Sequence, residues 1–173
     1  MMGHPTTRKV PLPDPSEACD VLRRAGTGDV ECVTRLWIAL TEHHARSDPY
    51  YALLPGADQE IERLLLASLR DADSAIWLAE DDGTAVGLCS VRIDVAPPIH
   101  EEVERAEITD LFVAPASRRR GLGRELVETA LAWARERDVV RAEIRVATGN
   151  PEGQAFWRAL GFGDFVDVLH RRL

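Results

Sequence analysis

Strand-like and helix-like apolar patterns alternate along this chain, which predicts an α/β protein of the α+β type. Residues 76–80 and 85–95 read as two strands joined by Asp81, Asp82, Gly83 and Thr84, the composition of a tight hairpin turn. Leu122, Leu126, Val127, Ala130, Leu131 and Ala134 recur at helical spacing and form a stripe wide enough to lie across a sheet. With 173 residues, 45% of them hydrophobic, the chain can bury one core. A single domain is therefore expected over residues 18–173, after a flexible N-terminal tail, rich in proline and threonine, over 1–17.

The elements follow in order. A short strand is expected over 19–23. Gly26, Thr27, Gly28 and Asp29 then supply a turn and a helix cap, and Val33, Leu36, Trp37 and Leu40 predict a helix over 30–44. Asp48, Pro49, Tyr50 and Tyr51, followed by Pro55 and Gly56, break it into a loop over 45–57. A second helix carries Ile61, Leu64, Leu65 and Leu69 on one side. Pro97 and Pro98 end the hairpin, and an acidic loop with His100, Glu101, Glu102 and Glu104 forms a rim beside the expected substrate site. A strand over 106–113 leads into a helix from 122 to about 138. A strand over 142–146, a short helix over 154–160 and a last strand over 165–170 complete the chain. There is no repeat, long linker or second domain.

Composition narrows the function. Lys and Arg number 21 against 29 Asp and Glu, a formal net charge of −8, which argues against broad nucleic-acid binding and suits a cationic partner. No apolar stretch reaches the length needed to span a bilayer, so neither a membrane nor a targeting role is expected, and the cytoplasm is the expected compartment. Cys19, Cys32 and Cys89 lie far apart with no metal-ligand spacing and read as buried free thiols, with no metal expected.

The chemistry concentrates in the run 117–126, SRRRGLGREL, which joins a strand to a helix. Glycines at alternate positions let the backbone approach a ligand closely, and the first amides of a helix have no partners inside it. Such a turn binds an anion, and Arg118, Arg119 and Arg120 add charge beside it. A Walker loop would need Lys and then Ser or Thr after its last glycine, where Arg124 and Glu125 stand. The three-glycine dinucleotide fingerprint lacks its last member.

A strand, Pro115, Arg118-x-x-Gly121-x-Gly123, a long amphipathic helix, a strand, Asn150, and then Ala155-Phe156-Trp157-x-x-Leu160-Gly161-Phe162 form an ordered series. It resembles the GNAT superfamily of acyl-CoA-dependent N-acetyltransferases, from about residue 19 to the end. The resemblance implies the GNAT fold, a central mixed, mostly antiparallel twisted sheet of 6–7 strands with about four helices in the order β-α-α-β-β-β-α-β-α-β. It also implies acetyl-CoA as donor. Backbone amides between Arg118 and Gly123 would hold the pyrophosphate, with Leu122 and Arg124 opening the helix behind them. The main chain at Leu111, Phe112 and Val113 would pair with the pantetheine arm. Asn150, Phe156 and Trp157 complete the implied cofactor set.

The implied reaction is direct attack of a primary amine on the acetyl thioester. An alkyl ammonium of pKa near ~10 is protonated at neutral pH, so a base or a water chain must take a proton. Glu107 stands where histone-type members carry a general base, and Asp110 where small-amine members hold the substrate cation. Strand alternation puts the two on opposite faces unless the strand bulges between them. Many relatives have a tyrosine to reprotonate the thiolate where this chain has Trp157, whose indole N–H has no useful acidity. Tyr50 and Tyr51, the two tyrosines of the chain, take that expected role, with water as the alternative. His43 and His44 read as favourable charges at a helix C-terminus. The expected acceptor is a cationic small molecule or a peptide amine. A non-catalytic acyl-CoA-binding regulatory module is the alternative, and a homodimer is an expectation carried by the resemblance.

Overall fold

The computed structural model describes residues 21–99 and 101–171. The expected tail, Cys19 and His100 lie outside them. β1 (Val21–Arg24), α1 (Val30–Ala45), α2 (Asp58–Arg70), β2 (Ser74–Asp81), β3 (Thr84–Val95), β4 (Glu104–Val113), α3 (Leu122–Arg135), β5 (Ala142–Ile144) and α4 (Pro151–Ala159) follow in the expected order. The strands form one sheet in the order β1-β2-β3-β4-β5, antiparallel except for the parallel pair β4 and β5.

Pattern explains which residues take each side. On β2, Ala75 and Ala79 face α3 while Ile76 and Leu78 face α1 and α2, so a strand buried on both faces reads as nearly continuous apolar sequence. Leu122, Leu126, Val127, Ala130, Trp133 and Ala134 of α3 close the first layer. Val33, Leu36 and Leu40 of α1, with Ile61 and Leu65 of α2, close the second. The hairpin turns through Asp82 and Gly83, both at positive φ, as an Asp-Gly turn requires. Ahead of α1 a 3-10 turn spans Thr27–Asp29. Asp29 is the helix N-cap, but its carboxylate accepts from Gly26 N and from the Arg23 guanidinium rather than from a helix amide.

The sheet has five strands rather than six or seven, because residues 165–170 do not form the expected last strand. Their alternating apolar pattern has no ladder to join: β5 is three residues long and pairs only with β4 among the described residues. The side chains of this segment remain mostly exposed, and Phe165 instead stacks under the Arg141 guanidinium at 4.0 Å.

Arg23, gripped by Asp29 and Glu80 at 2.7 Å each, ties the start of α1 to the edge of the sheet. The Arg23 guanidinium, followed by the Gly26 amide, holds the Asp29 carboxyl down at about 2. A depressed folded-state pKa contributes stability above the unfolded value that is lost as pH falls toward the folded one. Asp29→Asn should therefore lower urea-unfolding stability by on the order of 1–2 kcal/mol at pH 7. The difference from the wild type should shrink between pH 4 and pH 2.

Candidate active site

The site starts from an irregularity in β4. Asp110 pairs across β3 with Ser90, but Ile108 pairs with the very next residue, Val91, so Thr109 is an extra residue without a partner. Ahead of it, Ala106 and Ile108 pack toward α3; beyond it, Phe112 packs toward α1 and α2. The bulge thus puts Glu107 and Asp110 on one face, where plain alternation separates them. Pairing with β5 stops at Ile108. From Thr109 to Val113, β4 keeps β3 on one edge, and no strand among the described residues covers the other.

That open edge runs into the glycine-arginine loop. After a 3-10 turn at Pro115–Ser117 the backbone passes Arg119 at φ 68 and Gly121 at φ 93, both left-handed, and enters α3. The first helical bonds run from Arg124 N and Glu125 N to Gly121 O, so the amides of Gly121, Leu122 and Gly123 precede them and face outward from the helix end. Gly123 lies against the Phe156 ring of α4, where a Cβ would meet it at 3.5 Å, an ordinary contact distance.

The arginines of the loop divide their work. Arg118 Nε donates to Val113 O at 2.9 Å and pins the loop to the end of β4, and Arg120 bonds Asp81 at 2.6 Å on the hairpin turn. Arg119 and Arg124 are exposed, with no partner among the described residues, and are the cations open to a phosphate. The Asn150 side chain accepts from Gly153 N at 2.9 Å and caps α4. Trp157 is buried, packed edge-on between Phe156 and Phe162 at 5.2 Å from each. These two positions act through the architecture of the loop's neighbour.

Asp110 is the buried charge of the site. Its carboxylate accepts from Trp37 Nε1 at 2.9 Å and from Thr109 Oγ1 at 2.7 Å. The buried Ser90 hydroxyl faces it closely enough to favour its ionised form, yet makes no hydrogen bond of acceptable geometry. Burial pushes the Asp110 carboxyl above the usual range, against those hydrogen bonds and the nearby His44. No ion-pair partner stands beside it among the described residues. It borders a cleft of about 200 Å³ lined also by Trp37, Ile61, Leu65, Arg92 and Thr109.

Glu107 is placed differently. One carboxylate oxygen takes Arg92 at 2.5 and 3.0 Å, and the other lies 3.5 Å from Arg145. Both oxygens therefore hold guanidinium groups. Tyr50 is 83% exposed, whereas Tyr51 packs its ring 5.2 Å from that of His44. The acidic rim does not border the site. Glu104 opens β4 about 20 Å ahead of Asp110, and Glu102 pairs with Arg141. Trp37, Arg92 and His44 were absent from the sequence-derived site. For Trp37 a signal existed, since an indole N–H on a buried helix face needs an acceptor.

A sheet that opens beside an anion-binding helix terminus, with a buried carboxylate at the opening, defines a transferase that carries its group on a long phosphorylated arm. The family model for "Acetyltransferase (GNAT) family" matches residues 37–162, and the chain belongs to that family. Acetyl-CoA is its acetyl donor, and the outward amides at Gly121 to Gly123, the exposed Arg119 and Arg124, and the open edge of β4 fit such a ligand. Mycothiol acetyltransferase of Beutenbergia cavernae is 30% identical over 78% of this chain, which spans only 43% of that protein. Aminoglycoside N(6')-acetyltransferase type 1 of Stenotrophomonas maltophilia is 30% identical over 70% of this chain and 80% of its own length. Among solved structures, aminoglycoside N-acetyltransferase AAC(6')-Iy in complex with CoA superposes with a TM-score of 0.75 at 20% identity, covering 92% of this chain and 98% of that one. No group of three or more His, Cys, Asp or Glu side chains that could hold a metal occurs among the described residues.

Because Gly121 sits in the left-handed region, Gly121→Ala should cost about 1–2 kcal/mol in stability and weaken coenzyme A binding through the displaced loop amides. Thermal unfolding and titration calorimetry with coenzyme A would measure the two effects. Retained affinity would place the pyrophosphate elsewhere.

Proposed function

We propose that the chain transfers the acetyl group of acetyl-CoA to the primary amine of a cationic small molecule or a peptide, with Asp110 receiving the ammonium. The observation that carries this reading is the buried, hydrogen-bonded carboxylate at the bulge, beside the uncovered edge of β4 and without a counter-charge. A buried charge left without a counter-ion is costly, and an incoming ammonium offsets that cost. The names of the relatives support an amine acceptor, since two of them are acetyltransferases of amine-bearing compounds. Trp37, Ile61 and Leu65 give the cleft apolar walls, which favours an acceptor with a compact apolar body behind its amino group.

Acetyl-CoA supplies the thioester. Arg119, Arg124 and the amides at the start of α3 hold its phosphates, and the edge of β4 from Leu111 onward, where Val113 O is already taken by Arg118, faces its arm. Asp110 draws the ammonium to the bulge, and a carboxyl raised by burial is the better proton acceptor once the amine has bound. Glu107 holds Arg92, which lines the cleft, and also pairs with Arg145. Phe165, Val166, Val168 and Leu169 are each at least 68% exposed, which supports a homodimer formed through this segment.

Asp110→Asn should raise KM for the amine at least tenfold, with coenzyme A affinity unchanged, in an assay of thiol release across a panel of primary amines. An unchanged KM would remove Asp110 from the acceptor site. Tight coenzyme A binding with no acetylated product from any amine would favour a binding module instead.

A further inference from the structure

One half-buried imidazole faces the site and is used by nothing described above. His44 lies two helical turns after Trp37 on α1, with the buried Thr41 between them on the same face. Trp37 reaches Asp110 directly, and His44 is near enough to Asp110 for their charges to interact. Its neighbour His43 feels the charges of Arg118 and Glu152, which brings this end of α1 to the phosphate loop and the first turn of α4. His44 thus lies on the same face of α1 as Trp37, toward the end of the helix.

The imidazole is held in place. The Tyr51 ring packs 5.2 Å from it, the Tyr50 ring stands edge-on to Tyr51 at 5.3 Å, and Asp48 fixes their turn by accepting from Tyr50 N at 2.9 Å. Neither ring nitrogen of His44 has a hydrogen-bond partner among the described residues. Of the two tyrosines expected to return a proton to sulfur, Tyr50 points into solvent and the Tyr51 ring is packed on His44 itself.

Resting on the amine-acetylation reading above, we propose that His44 is the proton shuttle of the reaction, carrying a proton from the attacking nitrogen to the departing sulfur. The ammonium first loses one proton to Asp110, which passes it to solvent. The amine nitrogen then bonds the acetyl carbon, and its second proton moves to a ring nitrogen of His44. The carbon–sulfur bond breaks, the electron pair stays on sulfur, and the imidazolium gives that proton to the thiolate. One imidazole serves as base and then as acid, and it ends neutral.

Burial lowers the His44 imidazole below its ordinary value, against the raising effect of Asp110, so it is neutral and able to accept at pH 7. The titratable and charged groups around it are Asp110 on β4, Tyr51 and Tyr50 on the following turn, and His43 and Arg46 on α1. Arg118 and Glu152 act on His43. As pH falls through the depressed imidazole value the shuttle is lost, and kcat falls with it.

The test uses the full chain, acetyl-CoA and whichever of phenethylamine, spermidine and kanamycin the wild type acetylates fastest. His44→Gln should lose about 100-fold in kcat at pH 7.5. Amine KM should stay within threefold, coenzyme A affinity should be unchanged, and the acid limb of the kcat profile should disappear. His44→Ala should recover part of its rate when free imidazole is added, which a packing role would not produce. If the wild type turns over and His44→Gln keeps kcat within twofold with the same pH profile, or His44→Ala is not rescued, the shuttle is wrong and the amine reading stands. If the wild type acetylates none of the three, both fall together.

Discussion

The site depends on one extra residue in one strand. Thr109 has no partner across β3, and its insertion changes which face of β4 each following residue presents. Were Thr109 paired in plain alternation, Asp110 would point with Ile108 into the core under α3, among Leu126, Val127 and Ala130, where no water or substrate could reach it. With the bulge the carboxylate turns toward α1 and α2, where Trp37 and Thr109 can donate to it. A bulge also raises local twist. β5 leaves β4 one residue before it, and the edge that opens is the one the donor needs.

The two carboxylates that the bulge brings to one face have opposite surroundings. Glu107 is buried and lies between two arginines, which compensate its charge and fix its geometry. Asp110 lies deep beside an indole with neutral donors and no cation. Neutral hydrogen bonds keep a carboxylate from being stranded but do not cancel its charge, and that leftover charge is what a cationic substrate can use. The same surroundings explain why α1 matters beyond packing: Trp37, Thr41 and His44 form one stripe on the helix, and its first member donates to Asp110.

Much of this was legible in the residues. The glycine-arginine run marks a candidate anion site because its chemistry is local: the structure has Gly121 left-handed at the start of α3, with the first helix amides ahead of the intrahelical bonds. The hairpin was readable for the same reason. The last strand was not, since alternation at Phe165, Val166, Val168 and Leu169 reports a tendency toward extended structure and says nothing about a partner. That partner would have to be β5, which stops at Ile144. His44 was read as a helix-end charge because Asp110, its electrostatic neighbour, is 66 residues away in the chain. Glu107 stands where histone-type members carry a base, and the structure surrounds it with Arg92 and Arg145, neither of which its place in the sequence indicates.

Net charge gives less than it promised. The excess of acidic residues pointed to a cationic partner, yet most of the acids nearest the sheet are spent on arginines: Asp94 on Arg105, Glu143 on Arg105 and Arg141, Glu102 on Arg141, and Asp81 on Arg120. A field summed over exposed charges is screened within about 10 Å at ordinary ionic strength. It can speed the encounter with a cation but cannot orient an amine on a thioester. On the proposed reading, orientation would come from Asp110, whose low-dielectric surroundings strengthen its attraction for one bound ammonium, and from the apolar walls at Trp37, Ile61 and Leu65. Selectivity for the acceptor would then reside in the shape of the α1 and α2 side of the cleft, and the glycine-arginine loop would be indifferent to it.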